Sequence, residues 1–158
     1  MPTIDVVIET PRGCTEKYDY DAERGFFRLI KLLPLGMAFP FDFGFIPGTK
    51  GEDGDPLDVM TLSEIRTFPG CLLPCRIIGG LKAIQIEKGS RQQVRNDRFI
   101  GVPAQSLVYK DIKNIHDLPA RVLDELQAFF VNYNHLEGKT FKPLQWINAK
   151  AAIKLIGQ

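Results

Sequence analysis

Short apolar stretches, several with alternating polar residues and all bounded by turn residues, fill the first two thirds of the chain. This pattern predicts strands, because successive side chains of a strand point to opposite faces. Many short strands without helical crossovers predict a closed or partly closed barrel. The expected strands cover residues 4–10, 17–21, 25–33, 57–62, 72–86 and 98–102, with an aromatic-rich segment at 39–46; the second and third form one hairpin, and the last two form another around a polar tip.

The periodicity changes to that of a helix after residue 117. Asp117 is the expected N-cap, Pro119 lies in the first turn, and Gly138 is the expected end of this helix. A second, shorter helix is predicted over 148–156. The apolar residues at helical spacing in the first helix are Val122, Leu123, Leu126, Phe129, Phe130, Tyr133 and Leu136.

The length and composition are those of one soluble globular domain spanning 1–158, with 44% hydrophobic residues and 25% charged residues. A net charge of +1 argues against nucleic acid or a membrane surface as a partner held by bulk electrostatics. No stretch has the length of a membrane-spanning helix, and the N-terminus lacks the pattern of a signal peptide. The odd count of three cysteines favours reduced thiols, so we expect a cytoplasmic protein.

Three aspartates within six positions, at 53–58, are the strongest chemical signal in the chain. Gly54 permits a positive φ between Asp53 and Asp55, and Pro56 fixes its own φ at about −65°, so the turn would hold its carboxylates in place. Mg²⁺ binds one or two carboxylates, several waters and substrate phosphate oxygens. The turn therefore indicates a magnesium site for phosphate chemistry.

The residues of this turn are compatible with two other interpretations. Asp53, Asp55 and Glu64 match three ligand positions of a calcium-binding EF-hand loop, but Asp58 stands where that loop requires glycine. The sequence also predicts no helices on either side of the turn, as an EF-hand would require. An ordinary polar turn has the same composition, because Asp, Gly and Pro are the commonest turn residues. Taken by itself, the segment is equally compatible with a site and with a turn.

Other motifs lie around the acidic turn in a recognisable order. The chain carries Asp-Gly-Asp-Pro-x-Asp at 53–58, and its further landmarks are Val6-Val7-Ile8-Glu9, Lys17-Tyr18-Asp19, Pro40 with Phe43-Gly44-Phe45-Ile46, Asp117-Leu118-Pro119 and Phe129-Phe130-x-x-Tyr133. With these motifs the chain resembles the soluble, magnesium-dependent (family I) inorganic pyrophosphatases over nearly its whole length. The resemblance implies a mainly β member of the α+β class, with an OB-like five-stranded β-barrel and two flanking α-helices. It also implies a homo-oligomer, since bacterial relatives tend to be hexamers.

The resemblance further implies a reaction, the hydrolysis of pyrophosphate to two phosphates by a water held between two Mg²⁺ ions. Mn²⁺ is an alternative metal, because it accepts the same oxygen ligands. Asp55 would be the base that takes the proton of the water, with Lys17, Arg98 and Tyr133 as further catalytic groups. The implied metal residues are Asp53, Asp58, Glu9, Asp19 and Asn96, and the implied substrate-binding residues are Lys17, Lys31, Arg98 and Tyr133.

Several positions depart from the family's pattern. Phe39 and Phe43 stand in place of two tyrosines, Lys31 in place of an arginine, and Asn134 in place of a lysine. Two expected carboxylates are also replaced. The first corresponds to Gln85, or to Glu87 two residues along the same strand face. The second corresponds to Asn96. Its neighbour Asp97 would face the other way unless a β-bulge turns it inward.

These departures keep alternative functions open. The loss of hydroxyl and ammonium donors is compatible with another phosphoanhydride or phosphoester as substrate. A catalytically impaired phosphate-binding module on the same fold is a further alternative, because fold does not determine function. Since the base and the two principal metal ligands are intact, we expect a slower or altered enzyme.

Overall fold

The computed structural model describes residues 1–157 as a β-barrel with a protruding hairpin and two helices. The predicted fold class is confirmed. The strands are β1 (Ile4–Thr10), β2 (Glu16–Asp21), β3 (Phe26–Leu32), β4 (Asp42–Phe45), β5 (Asp58–Thr61), β6 (Leu72–Ile86), β7 (Gln93–Arg95), β8 (Arg98–Pro103) and β9 (Thr140–Asn148), and the helices are α1 (Ala120–Leu136) and α2 (Ala149–Ile156), with a 3₁₀ turn at Ile115–Asp117.

Five strands close into a ring in the order β1-β4-β5-β8-β6, and β6 pairs again with β1. All of these pairings are antiparallel except that of β5 with β8. The 15-residue strand β6 is long enough to pair with β1 and β8 and then, at its far end, with β7 and β9. The parallel pair matters most for the site, because it places Asp58 opposite Arg98.

Strand alternation divides the buried side chains between two apolar clusters on opposite faces of the sheet. Val59 and Phe99 belong to the cluster that packs against α2, and their neighbours Met60 and Ile100 belong to the cluster that packs against α1. Both helices are therefore fixed to the barrel by burial of apolar surface, which stabilises the fold by roughly 1.5–3 kcal/mol for each large side chain fully buried.

The predicted β2–β3 hairpin is confirmed as a separate two-stranded sheet. It is joined to β1 by two hydrogen bonds of the Thr10 hydroxyl, which donates to the carbonyl of Tyr18 (3.0 Å) and accepts from its N–H (3.1 Å). These bonds position the hairpin beside the mouth of the barrel.

The structure corrects the predicted start of α1. Asp117 does not cap this helix, which has Pro119 at its N-cap without a side-chain hydrogen bond. Instead, the Asp117 carboxylate accepts from the N–H groups of Lys113 and Asn114, where it closes the 3₁₀ turn. The predicted end is confirmed: Gly138 has φ +78°, and the N–H of Lys139 donates to the carbonyl of Asn134 at 3.0 Å.

Strand β9 was not predicted, although it pairs with β6 over residues 79–86. Its sequence contains Pro143, a residue that cannot donate to a ladder. Pro143 lies at the register shift between Lys82 and Ala83, where a proline is tolerated. The short strand β7 within the predicted polar tip was also missed. None of the helices formed by residues 1–157 combines the length and hydropathy needed to traverse a lipid bilayer.

Candidate active site

A cavity of about 510 Å³ is lined by residues from the barrel, the β2–β3 hairpin and the second half of α1. Nine of the ten predicted site residues line it, and Lys31 does not. Seven carboxylates line the cavity against three cationic side chains. The carboxylates are Glu9, Asp19, Asp53, Asp55, Asp58, Glu87 and Glu137, and the cations are Lys17, Arg98 and Lys139.

The acidic turn is held by its own backbone. Gly54 has φ +90°, as predicted, and its N–H donates to the carbonyl of Gly51 at 3.0 Å. The Gly51 N–H donates to the carbonyl of Asp55 (2.7 Å), and the Asp55 N–H donates to Oδ1 of Asp53 (3.0 Å). The turn therefore presents Asp53 and Asp55 exposed at the edge of the cavity, with Asp58 half-buried at the start of β5.

Arg98 and Asp58 form an ion pair in the wall of the cavity, with 2.7 Å between Nη1 and Oδ2. The pair follows from the register of β5 and β8. Burial raises the pKa of Asp58, and the positive charge of Arg98 opposes that change. The guanidinium lies 5.3–6.0 Å from three phenyl rings, and its Nε has no hydrogen-bond partner among residues 1–157. The rings belong to Phe43, Phe130 and Phe141.

Two amide side chains continue the hydrogen bonding away from Arg98. Nη1 of Arg98 also donates to Oδ1 of Asn96, and Nδ2 of Asn96 donates to Oε1 of Gln85 (2.7 Å). Nε2 of Gln85 then donates to Oε1 of Glu87 (2.8 Å). The two departures at Gln85 and Asn96 thus lie side by side in the cavity wall, and Glu87 lies next to them.

Asp97 is held away from the cavity. Its carboxylate accepts from the N–H of Ala83 (3.0 Å) and from the guanidinium of Arg95, at 2.7 Å in the closest contact. Asn96 lines the cavity and Asp97 does not, as the predicted register requires. No bulge re-aims Asp97 toward the other carboxylates.

Glu9 and Asp19 bring further negative charge to the hairpin side of the cavity. Oε2 of Glu9 accepts from the N–H of Tyr20 (2.7 Å), and Asp19 pairs with Nζ of Lys17 (3.0 Å). Burial, with the charges of Asp19 and Asp58, raises the pKa of Glu9 to about 8. Burial also raises the pKa of Asp55, with the charges of Asp53 and Asp19 adding to the effect. The carboxylates therefore face one another in an environment that favours a neutralising cation.

Tyr133 closes the cavity from α1. Its side chain is 8% exposed, and its hydroxyl has no hydrogen-bond partner among the described residues. Burial, and then the charge of Glu137, raises the pKa of Tyr133, so the hydroxyl stays protonated and can donate. Nζ of Lys31 lies 4.5 Å from the centre of the Tyr133 ring and pairs with Glu137. Lys31 thus contacts two residues of the cavity wall without lining the cavity itself.

Two charged residues of the wall were missed from the sequence. Glu137 is the C-cap residue of α1, and Lys139 follows Gly138 directly. Nζ of Lys139 lies 3.6 Å from a carboxylate oxygen of Glu137 and 3.6 Å from one of Glu87. The helix stop at Gly138 was visible in the sequence, but the pairing of β9 with β6 that brings Lys139 to Glu87 was not. Asn134 also lines the cavity, but its Nδ2 donates to the carbonyl of Phe130 at 2.8 Å.

The donor set of the cavity fits a hard divalent cation. No three His, Cys, Asp or Glu side chains form a preformed cage within 1–157. Mg²⁺ does not require one, because it keeps several waters and binds through one or two carboxylates and phosphate oxygens. Asp53 and Asp58 supply such carboxylates. The unpartnered Tyr133 hydroxyl and Arg98 Nε add buried donors suited to an anion.

Comparisons with known proteins agree with this geometry. A family model described as "Inorganic pyrophosphatase" matches residues 6–158. An inorganic pyrophosphatase of Halalkalibacterium halodurans is 39% identical over 155 residues, covering 98% of this chain and 91% of that protein. The crystal structure of an inorganic pyrophosphatase from Thermus thermophilus has a TM-score of 0.89 at 36% identity, covering 98% of this chain and 87% of that one. A corresponding structure from Coxiella burnetii has a TM-score of 0.88 at 32% identity, with 99% and 92% covered.

Proposed function

This chain belongs to the inorganic pyrophosphatase family, and we propose that it hydrolyses pyrophosphate to two phosphates with Mg²⁺ bound in the acidic cavity. The observation that carries the proposal is the excess of carboxylates over cations in the lining. Two unit charges about 4 Å apart interact by roughly 4 kcal/mol at an effective dielectric constant near 20. A diphosphate would therefore be repelled from this cavity unless divalent cations offset the carboxylate charge.

Asp53 and Asp58 would hold the ions, with Asp58 shared between them and Glu9 and Asp19 acting through water. Mn²⁺ would suit the same oxygen donors. When bound, the ions lower the pKa of the attacking water and neutralise charge on the phosphates. The backbone supports this assignment, because the hydrogen bonds of the acidic turn fix Asp53 and the pairing of β5 with β8 fixes Asp58.

Asp55 would take the proton of the attacking water. Its carboxylate accepts no side-chain hydrogen bond within residues 1–157, and its pKa is raised by burial and by Asp53 and Asp19. A raised pKa makes a carboxylate a stronger base. Asp55 is thus better suited to proton transfer than Asp58, which Arg98 engages.

Phosphate oxygens would be bound by Arg98, Lys17 and Tyr133. The three groups line one cavity and offer guanidinium, ammonium and hydroxyl donors. Lys31 would contribute indirectly, by holding Glu137 and the ring of Tyr133 in place. At the metal, Asn96 would offer an amide oxygen where the resemblance implies a carboxylate ligand, and the same oxygen accepts from Nη1 of Arg98.

The packing of Phe39 and Phe43 favours pyrophosphate over a larger phosphate compound. Their ring centres lie 5.8 Å apart, and Phe39 also lies 5.6 Å from the ring of Tyr133. Both side chains are buried, at 2% and 7% exposed. Where the family has hydroxyls, the cavity wall therefore presents packed apolar rings, which offer no hydrogen-bond partner to the hydroxyls of a nucleoside or a sugar.

Phosphate release from a panel of substrates tests the proposed function. Pyrophosphate, ATP and glucose 6-phosphate would be incubated with the protein and Mg²⁺, and we expect release from pyrophosphate at least about tenfold faster than from the others. Preference for ATP or the sugar phosphate would overturn the substrate assignment. Release from none of the three would favour a phosphate-binding module.

Asn96→Asp should tighten Mg²⁺ binding by about threefold to tenfold, because it adds one negative charge to the cavity wall. The gain stays modest, since Arg98 already donates to residue 96 and would pair with the new carboxylate. Isothermal titration with Mg²⁺ measures the change. Asp97→Asn is the matched control: it removes a charge held by Arg95 outside the cavity, and Mg²⁺ affinity should not change. Equal effects of both substitutions would contradict the assignment.

The resemblance supports three further proposals. We propose that residues 1–158 form one domain, that the protein is cytoplasmic, and that it assembles as a homo-oligomer, with a hexamer as the expected form. Several exposed apolar side chains support assembly, including Phe26, Leu32 and Phe68 at 71%, 76% and 63% exposed. Sedimentation velocity measures the oligomeric state, and a monomer at micromolar concentration would contradict the proposal.

A further inference from the structure

We propose that Glu87, Gln85 and Asn96 form a polarised hydrogen-bond relay that positions the Arg98 guanidinium for substrate. The proposal rests on the proposed function, since it assigns a role within the same site. The three residues are positioning residues that act through Arg98. The direction of each hydrogen bond in the relay follows from what its groups can donate or accept.

The two ends of the relay fix its direction. Glu87 is a carboxylate and accepts only, whereas Arg98 is a guanidinium and donates only. Each amide between them has one donor group and one acceptor oxygen, so a single orientation satisfies all the bonds. The NH₂ of Gln85 faces Glu87 (2.8 Å), the NH₂ of Asn96 faces the oxygen of Gln85 (2.7 Å), and the oxygen of Asn96 faces Arg98.

The relay lies where a flipped amide would be costly. Gln85 is 8% exposed and Arg98 is 6% exposed, so neither side chain can readily exchange a lost partner for water. A reversed Asn96 would direct its NH₂ at the Arg98 guanidinium and leave two donors facing each other. Lys139, 3.6 Å from Oε1 of Glu87, holds the far end of the relay in place.

The relay fixes the orientation of the plane of the Arg98 guanidinium. Nη1 is shared between Asp58, at the start of β5, and Asn96, in the segment between β7 and β8, so the guanidinium cannot rotate about its last bonds without breaking both hydrogen bonds. The remaining N–H groups then keep one direction relative to Asp58, the proposed metal ligand. Positioning of this kind lowers the cost of ordering the donor when the transition state forms.

Gln85→Leu tests the relay, because leucine has a similar size and can neither orient Asn96 nor bind Glu87. We expect kcat/KM for pyrophosphate to fall about tenfold to a hundredfold, with Mg²⁺ affinity within about threefold of wild type. The double variant Gln85→Glu/Glu87→Gln keeps an acceptor toward Asn96 and should retain kcat/KM within about threefold. Gln93→Leu, an exposed glutamine of the same hairpin, is the control and should change neither quantity.

A spectroscopic readout separates positioning from activity. In the substrate-free protein, ¹⁵N-arginine spectra should show slow rotation of the Arg98 guanidinium in wild type and in the double variant, and fast rotation in Gln85→Leu. Glu87→Leu, at a more exposed side chain, should shift Arg98 in the same direction even if Gln85→Leu does not fold. Unchanged Arg98 rotation in these variants, or full kcat/KM in Gln85→Leu, would overturn the relay. Wild-type protein that releases no phosphate from pyrophosphate would instead refute the proposed function and leave the rotation test intact.

Discussion

Asp55→Asn should lower kcat for pyrophosphate hydrolysis by about 10²–10⁴-fold, the usual contribution of a positioned general base. Asparagine has nearly the shape of aspartate and leaves the turn intact, because the Asp55 side chain takes no part in the hydrogen bonds that close it. The variant therefore removes the basic group and little else. Initial rates of phosphate release at saturating substrate and Mg²⁺ measure the change.

The control for this loss is Asp111→Asn, the same chemical change at an exposed position outside the cavity. It should leave kcat unchanged. Mg²⁺ affinity of Asp55→Asn should fall by less than that of Asp58→Asn, since both principal ligands remain. A kcat within about threefold of wild type would exclude Asp55 as the base.

Asp58→Asn should weaken Mg²⁺ binding by at least about a hundredfold, because a shared ligand loses its charge in a half-buried site. It should also destabilise the fold. The Arg98 side chain is only 7% exposed, and in this variant its positive charge would face a neutral partner. We expect the free energy of unfolding to fall by about 1–3 kcal/mol. Isothermal titration with Mg²⁺ and urea unfolding measure the two effects separately.

Asp53→Asn distinguishes the two roles of Asp58. Asp53 is exposed and forms no ion pair within residues 1–157, so its substitution should weaken Mg²⁺ binding with little change in the free energy of unfolding. Equal loss of stability in both variants would contradict the ion-pair explanation. Unchanged Mg²⁺ affinity in Asp58→Asn would exclude it as a ligand.

The parts of the site that depend on local sequence could be predicted. The acidic turn is specified within six residues, since Gly54 and Pro56 set the backbone that presents the aspartates. The hairpin that carries Lys17 and Asp19 was predicted for the same reason, because turn residues separate two short strands. Alternation from the predicted strand placed Asn96 and not Asp97 toward the cavity, and the structure has this arrangement although Asn96 lies just before β8.

The parts that depend on distant pairings could not be predicted. Strand β9 was not predicted, and without its pairing with β6 nothing placed Lys139 beside Glu87. The pairing of Lys31 with Glu137 joins the hairpin to the end of α1, and no local pattern encodes this contact. Asp117 was assigned to the wrong element, because a capping residue serves a 3₁₀ turn as well as an α-helix.

The most direct test of metal-dependent hydrolysis in this cavity is phosphate release from pyrophosphate under three conditions. The rate is measured with Mg²⁺, after EDTA has removed the Mg²⁺, and after Mg²⁺ has been added back. We predict two phosphates for each pyrophosphate consumed, no release above the uncatalysed rate in EDTA, and recovery when Mg²⁺ is added back in excess. Undiminished release in EDTA, or none at any concentration of Mg²⁺ or Mn²⁺, would contradict the proposed chemistry.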